Sequence, residues 1–251
     1  MAHDPDEHYR RLARTYERNW ADRPGYVAWM AERIMAWLEP APDPRIVDVG
    51  SGTGLFLNRL MSRVSATTPL LCVDPSQPML DMLPDDPRLT PVCATAEQIA
   101  TGEVPLPYEK VDAFVFKEAI HHVKGIPETL RGLAGMLAPG GLILIVTLPP
   151  RLDYPLFPEA LDRFAAGQPE PADLVSALDA ADLEAECAIE SYTVTIDREQ
   201  WLDLVGNQWM SVLSTFSTAE IEAGLDHIRA RHPGPTITYE DRFAFVRGVR
   251  T

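Results

Sequence analysis

Three cysteines in 251 residues, a shortage of positive charge and the lack of any long apolar run set the first limits on this chain. The cysteines, Cys72, Cys93 and Cys187, are odd in number, widely separated and set in strand-like apolar runs. That usage predicts buried thiols in a reducing compartment and excludes a disulfide framework. Lysine and arginine total 22 against 37 acidic residues, a formal charge of −15, and residues 151–190 alone hold ten acidic side chains against two basic ones. Such a surface repels phosphate backbones and anionic lipid, so neither nucleic acid nor membrane is expected as a partner. The one arginine cluster, Arg10, Arg11, Arg14 and Arg18, shares the first twenty positions with four acidic residues. The opening residues MAHDPDEHYRR lack a signal peptide's apolar core, and no stretch approaches the roughly 20 apolar residues of a membrane span. A cytoplasmic protein is the expectation.

What is present is a hydrophobic content of 46%, enough at this length for one α/β domain with an added cap. Residues 6–38 read as helical: Leu12 and Tyr16, then Val27, Ile34 and Leu38 after the Pro24-Gly25 break, recur at helical spacing. After the proline-rich link at 40–44, strands at 45–49, 70–74, 90–94, 111–116 and 141–148 alternate with helices, among them 54–64 and 76–83. Almost wholly apolar strands in this order predict a parallel sheet covered on both faces. A helix at 171–183 leads into a strand at 184–196, where the apolar phase shifts from Ala185, Cys187 and Ile189 to Tyr192, Val194 and Ile196, which predicts a bulge near Ser191. Asp197 and Ser217, each followed three residues later by Gln200 or Glu220, have the spacing of capping boxes and predict two more helices. A last strand is expected at about 241–249.

The segment IVDVGSGTG at 46–54 carries the chemistry. An apolar strand runs through Asp48 into a loop with Gly50, Gly52 and Gly54, and twenty positions after Gly54 Asp74 closes a second apolar run. A loop without side chains lets backbone N–H groups approach a ligand, and a carboxylate one strand away can accept both hydroxyls of a ribose. The pair reads as a nucleoside-cofactor site. A dinucleotide fingerprint would need glycine at position 55, where Leu55 stands.

The loop, with an acidic residue two positions before its first glycine, resembles motif I of the class I S-adenosylmethionine-dependent methyltransferases, and LAPGGLILIV at 137–146 is similar to that family's fifth-strand motif. The likeness is to its small-molecule, type 11-like group. It implies a Rossmann-like, seven-stranded, mostly parallel sheet with helices on both faces, formed by 45–196 and 241–249. N-terminal helices (1–40) and a helical insert between the last two strands (197–232) complete a single domain, 1–251, monomeric or homodimeric.

The resemblance implies S-adenosyl-L-methionine as cofactor. It places Asp48 near the methionine ammonium, Gly50, Ser51, Gly52 and Gly54 on the methionine portion, Asp74 on the ribose, and Pro75, Ser76 and Met79 around the adenine. Thr95, Ala96 and Glu97 take the place of the family's acidic-Ala-acidic run, with a threonine where its adenine contact usually stands. Lys117 ends the fourth strand beside the cofactor, or pairs with Glu118. Lys117-Glu118-Ala119-Ile120 has no likeness to the Asn/Asp-Pro-Pro-Tyr run of base and amide methylating enzymes, which again points away from nucleic acid. His121 and His122 follow, and an imidazole there could take a proton from a hydroxyl near neutral pH, or simply pack against the cofactor. Adjacent histidines make a poor chelate, so no metal is expected. The acceptor, a small organic molecule methylated at oxygen rather than nitrogen, would meet Tyr16 and Trp20 of the first helix, Arg151 and Tyr154 after the fifth strand, and Trp209 or Met210 of the insert. Tyr9, Arg14, Trp201 and Phe216 are further aromatic or basic candidates. A non-catalytic cofactor-binding protein and a cofactor-assisted cyclase are the competing readings.

Overall fold

A computed structural model describes residues 24–56 and 60–251. One seven-stranded sheet runs in the order β3-β2-β1-β4-β5-β7-β6. Its strands are β1 (Ile46–Val49), β2 (Leu70–Asp74), β3 (Leu89–Cys93), β4 (Val111–Lys117), β5 (Leu137–Thr147), β6 (Glu184–Asp197) and β7 (Thr236–Val249). β1 to β5 are mutually parallel, and β7 runs antiparallel to both β5 and β6. The helices are α1 (Pro24–Leu38), α2 (Gln77–Leu80), α3 (Ala96–Ala100), α4 (Ile126–Ala134), α5 (Pro158–Ala166), α6 (Pro171–Asp179), α7 (Arg198–Gly206) and α8 (Thr218–Arg231).

Side chains alternate across a strand, so each central strand feeds two cores. Ile46, Leu70, Cys72, Val115 and Leu144 join the core under α1, α5, α7 and α8. Val47, Leu71, Val73, Phe114 and Ile143 join the core under α3, α4 and α6. The same period puts Asp48, Asp74 and Lys117, at the carboxyl ends of β1, β2 and β4, on the α1 face. Chain order reverses between β1 and β4, and a crevice opens outside the strand ends at such a switch point.

Several expectations change. β6 pairs with β7 in unbroken register from Glu184 to Asp197, so there is no bulge at Ser191. The apolar phase shift arises because β6 is an edge strand used on different faces at its two ends. Ala185 packs under α6, Val194 and Ile196 pack on the opposite face, and Ile189 is 52% exposed. β7 begins five residues earlier than expected because the long ladder with β6 carries it outward. Cys72 is buried, but Cys93 and Cys187 are exposed because β3 and β6 are the sheet's two edges. The Pro-Gly-Gly turn lies inside β5, where the pairing with β4 jumps between Val111 and Ala113. Ser217 and Glu220 form the complete capping box. Asp197 caps Glu199 and Gln200 without a reciprocal bond. Helix α5 escaped the sequence reading. Of the helix expected at 54–64, residues 60 and 61 are helical and 57–59 lie outside the described residues, as does the part of the N-terminal helical region before residue 24.

The insert, α7 and α8, docks through Trp201, which is fully buried and donates from Nε1 to the Pro155 carbonyl at 2.8 Å. On the other face α4 meets α3 at Gly132, where a Cβ would lie 2.6 Å from the Ala100 carbonyl oxygen. Gly132→Ala should therefore lower stability by about 1–3 kcal/mol from overpacking, partly offset by about 1 kcal/mol of helix propensity. A lower urea midpoint with an unchanged slope is the expected result.

Candidate active site

The loop after β1 is held by backbone and by one carboxylate. Gly50 and Ser51 both donate to the Val73 carbonyl, at 2.7 and 3.1 Å. Asp74 Oδ2 accepts from the Gly52 N–H at 3.0 Å and Oδ1 from the Ser76 N–H at 2.8 Å. A single side chain thus links the loops after β1 and β2, and each of its oxygens keeps a lone pair for a ligand hydroxyl. Gly50 has φ +75°, and a Cβ there would lie 2.4 Å from the Ala119 Cβ beyond β4. No larger residue fits, which explains the glycine physically.

Asp48 lies beneath this loop, 7% exposed, and no described residue donates a hydrogen bond to it. Burial, reinforced by the charge on Asp74, pushes its carboxyl up to about 7. Ser51 Oγ is likewise buried without a hydrogen-bond partner. Asp48, Ser51, Gly50 and Gly52 line one side of a cleft of about 480 Å³, counted with its mouth, and Ile34, Leu55, Phe56, Leu60, Val115 and Lys117 line the rest. A buried carboxyl and hydroxyl lacking partners beside a glycine loop suit a ligand with a cationic, hydrogen-bonding end, and the ammonium and ribose of S-adenosylmethionine meet that demand.

Of the residues expected around the adenine, Pro75 is exposed and Met79 is buried. Thr95 is the N-cap of α3 and exchanges bonds with Gln98, while Glu97 accepts the Lys124 N–H at 2.6 Å. These polar groups secure α3 and the turn before α4, and Ala96 is buried between them.

At the end of β4 the chain turns through Glu118, a non-glycine residue at φ +55°. Its carboxylate accepts the Leu148 N–H at 2.7 Å, which joins the ends of β4 and β5. Lys117 and Glu118 attract each other, and Lys117 is also attracted to Asp241 of β7. The Lys117 ammonium stands 4.6 Å from the Phe56 ring centroid and 5.3 Å from that of Phe243. Burial pulls its pKa down while the two carboxylates support the charge.

His121 and His122 lie in a short 3₁₀ turn, with ring centroids 4.0 Å apart. His122 is exposed. His121 Nδ1 is buried with no hydrogen-bond partner, and burial together with the Lys117 charge pulls the imidazole down to about 4. It is neutral at physiological pH and a weak base, which runs against the expectation of a base poised near neutrality.

The acceptor-side candidates separate. Arg151 is exposed, and Tyr154 is buried, donating to Asp241 Oδ1 at 2.7 Å. Trp209 stacks on Tyr154 and meets Trp201 edge-on, and Met210 is partly buried against the same core. None of these four lines the cleft. Phe216 is buried against Phe157 and carries the Arg163 guanidinium 3.7 Å from its ring centroid. Tyr9, Arg14, Tyr16 and Trp20 fall outside the described residues. Among the described residues no cluster of His, Cys, Asp and Glu could hold a metal, and no helix is long and apolar enough to cross a membrane.

Sequence reasoning missed Ile34 and Phe56 as cleft walls, and Asp241. The last had a signal: Ile237, Tyr239, Asp241, Phe243 and Phe245 alternate on one buried face, and a carboxylate in an apolar stripe needs a partner.

The sequence profile of a methyltransferase domain, the type 11 group, matches residues 47–145. An uncharacterized methyltransferase of Mycobacterium tuberculosis is 36% identical over 135 residues, 52% of this chain and 48% of that protein. The chain thus spans about half the length of the curated relatives it matches. Among solved structures, a protein of Anabaena variabilis classed with the methyltransferases of antibiotic biosynthesis superposes with a TM-score of 0.65 at 16% identity, covering 88% of this chain and 96% of its own. A phosphoethanolamine N-methyltransferase of Haemonchus contortus, solved with S-adenosylhomocysteine, gives a TM-score of 0.56 at 14% identity, covering 88% of this chain and 52% of its own. At those identities the structural likeness shows the fold alone. Residues 47–145 are thus similar to a methyltransferase domain of the type 11 group, and the fold around them is that of the solved methyltransferase structures.

Proposed function

We propose that this protein transfers a methyl group from S-adenosylmethionine to an oxygen of a small organic molecule. The observation that carries the reading is the cleft at the β1–β4 switch point, which sets a partnerless carboxyl and the glycine loop on one side against Lys117 and apolar side chains on the other. S-adenosylmethionine supplies an electrophilic methyl on a positively charged sulfur. Asp48 and Ser51 would hold the amino-acid end, and Asp74 the ribose. Most of the acceleration in such a displacement comes from alignment in a desolvated space, which the apolar walls Ile34, Phe56, Leu60 and Val115 favour. The charge of −15 and the lack of an Asn/Asp-Pro-Pro-Tyr run after β4 support a small acceptor over a nucleic acid, and a cytoplasmic setting fits the same composition. Release of S-adenosylhomocysteine over a small-molecule panel tests the activity. Binding without release by any acceptor would favour a cofactor-binding protein instead.

Asp74→Ala should weaken S-adenosylmethionine binding about 100-fold, given roughly 1.5–3 kcal/mol for a hydrogen bond to a charged group. Unchanged affinity by calorimetry, in a variant with the wild-type circular dichroism spectrum, would remove the ribose assignment.

Asp48 gives a pH test. Its folded carboxyl titrates at about 7, above the ordinary 3.8, so the ligand-free protein gains stability from it at low pH and loses that stability as pH rises through about 7. A bound ammonium favours the ionised form, so binding should release a proton below neutrality and affinity should fall as pH drops from 7 to 5. Calorimetry in buffers of different ionisation enthalpy reads the proton directly. Asp48→Asn should flatten the dependence.

A further inference from the structure

We propose that this chain pairs with a second copy of itself through the free edge of β6, the two strands running antiparallel about a two-fold axis at Ser191. Such pairing is independent of methyl transfer. The sheet has two edges, and they are built differently. β3 is five residues long and carries Pro91, which has no N–H to offer a further strand. Short length and proline keep an edge from pairing. β6 is fourteen residues long, has no proline or lysine, and follows β7 in unbroken register without a bulge. One unguarded edge per chain makes a two-fold pairing close at two copies.

In an antiparallel pair the residues of one strand alternate between those that exchange main-chain bonds with the neighbour and those that point away. Two contacts fix the phase in β6. The Arg198 N–H, one residue past the strand, donates to the Pro235 carbonyl at 2.8 Å, so even-numbered positions face β7. The Ala185 N–H points the other way and meets the Asp179 side chain of α6 at 3.3 Å. Cys187, Ile189, Ser191, Thr193 and Thr195 therefore turn their N–H and C=O groups outward, and among the described residues no backbone group meets them there. The strand also has reason to need a neighbour. β5 pairs with β7 only from Ala244 to Val249, so β6 and the first half of β7 run on as a two-stranded ribbon, marginally stable alone. The insert side of that ribbon is covered, through Val194, Ile196, Ile237 and Tyr239, while Thr193, Thr195 and Thr238 on the other side are exposed.

The side chains suit pairing with a second copy. With the axis at Ser191, that residue lies opposite itself, Ile189 opposite Thr193 of the second copy and Cys187 opposite its Thr195. This exposed row carries no charge, and β-branched pairs on one face stabilise a sheet. Ile189, 52% exposed, gains apolar cover. On the other face Glu190 meets Tyr192, Ala188 meets Val194 and Glu186 meets Ile196, so no like charges stand opposite. Both glutamates are already neutralised within the chain. Glu190 pairs with Arg33 at 2.9 Å and accepts from Trp37 Nε1 at 2.7 Å, and Glu186 pairs with Arg247. A chain with a net charge of −15 needs such a neutral seam if two copies are to meet. Other registers fit less well. An axis at Cys187 sets Glu184 against Glu190, like charge against like. An axis at Ile189 sets Thr193 and Thr195 against Ala185 and Leu183, whose N–H groups are already taken by Asp179 and Leu178. Between Cys187 and Thr195 the Ser191 register forms about ten main-chain hydrogen bonds across the seam.

The test uses the full chain. Sedimentation velocity between about 1 and about 100 μM should show reversible exchange between one copy and two. Ser191→Pro removes an outward N–H and no bond to β7, and Ile189→Lys puts a charge in the seam. Each should weaken dimerisation about ten-fold or more with the circular dichroism spectrum unchanged, whereas Met82→Lys, at another exposed large apolar side chain, should leave it as it was. In a chain carrying Cys93→Ser and Cys187→Ser, mild oxidation should link two copies through Ser191→Cys and not through Met82→Cys, because residues paired across strands lie within disulfide reach. Three results would overturn the proposal: a single copy at about 100 μM, a dimer that both Ser191→Pro and Ile189→Lys leave intact, or linking through Ser191→Cys no faster than through Met82→Cys. Hydrogen exchange reads the competing occupant. Slow exchange of the outward amides from Cys187 to Thr195 in a monomer would mean that another segment of this chain covers the edge, which overturns it equally.

Discussion

The carboxylate of Asp74 is the junction on which the site depends. Its two oxygens accept from the Gly52 and Ser76 N–H groups and so hold the loops after β1 and β2 in a fixed relation. Gly50, pressed against Ala119, brings the turn beyond β4 to the same loop. Three strand ends thus converge, and the cleft between them is shaped by backbone contacts that tolerate little side-chain bulk. Charge is the cost of this arrangement, since Asp48 is buried within reach of the Asp74 field. The cationic end of the proposed cofactor would relieve that conflict.

A second polar chain crosses the same face of the sheet. Lys117 reaches toward Asp241, which holds Tyr154, and Tyr154 packs with Trp201, Trp209 and Tyr239 beneath the insert. The cap therefore communicates with the cleft through buried polar groups as well as through apolar packing. Satisfied networks of this kind restrict a core to one arrangement, because each member left without its partner is penalised in a low dielectric. The aromatic residues of the insert act behind the cleft in the described structure, where they set the position of Asp241 and so the surroundings of Lys117.

Much of this was legible beforehand, for local reasons. Continuous apolar runs flanked by Gly, Pro and polar residues marked the central strands, and Asp48, the glycine loop and Asp74 marked the proposed cofactor side, because strand, loop and carboxylate follow one another closely along the chain. The opposite wall of the cleft was not legible in the same way. Lys117 and Asp241 are 124 positions apart, as their numbers show, and meet through the placement of β7 between β5 and β6. The phase shift in β6 misled for a related reason: an edge strand serves two faces, and only the sheet shows which neighbours each end has.

The amino-acid sequence by itself determined the α/β class, the likeness to a methyltransferase domain and the glycine loop after β1, since alternation, glycine positions and short-range spacing are properties of neighbouring residues. Tertiary structure alone decided which thiols are exposed, that His121 is a neutral, desolvated imidazole, and that Lys117 faces an apolar cleft with Asp241 behind it. The reason is physical. Burial and the electrostatic field at a side chain depend on every element packed around it, and those elements come from distant parts of the chain.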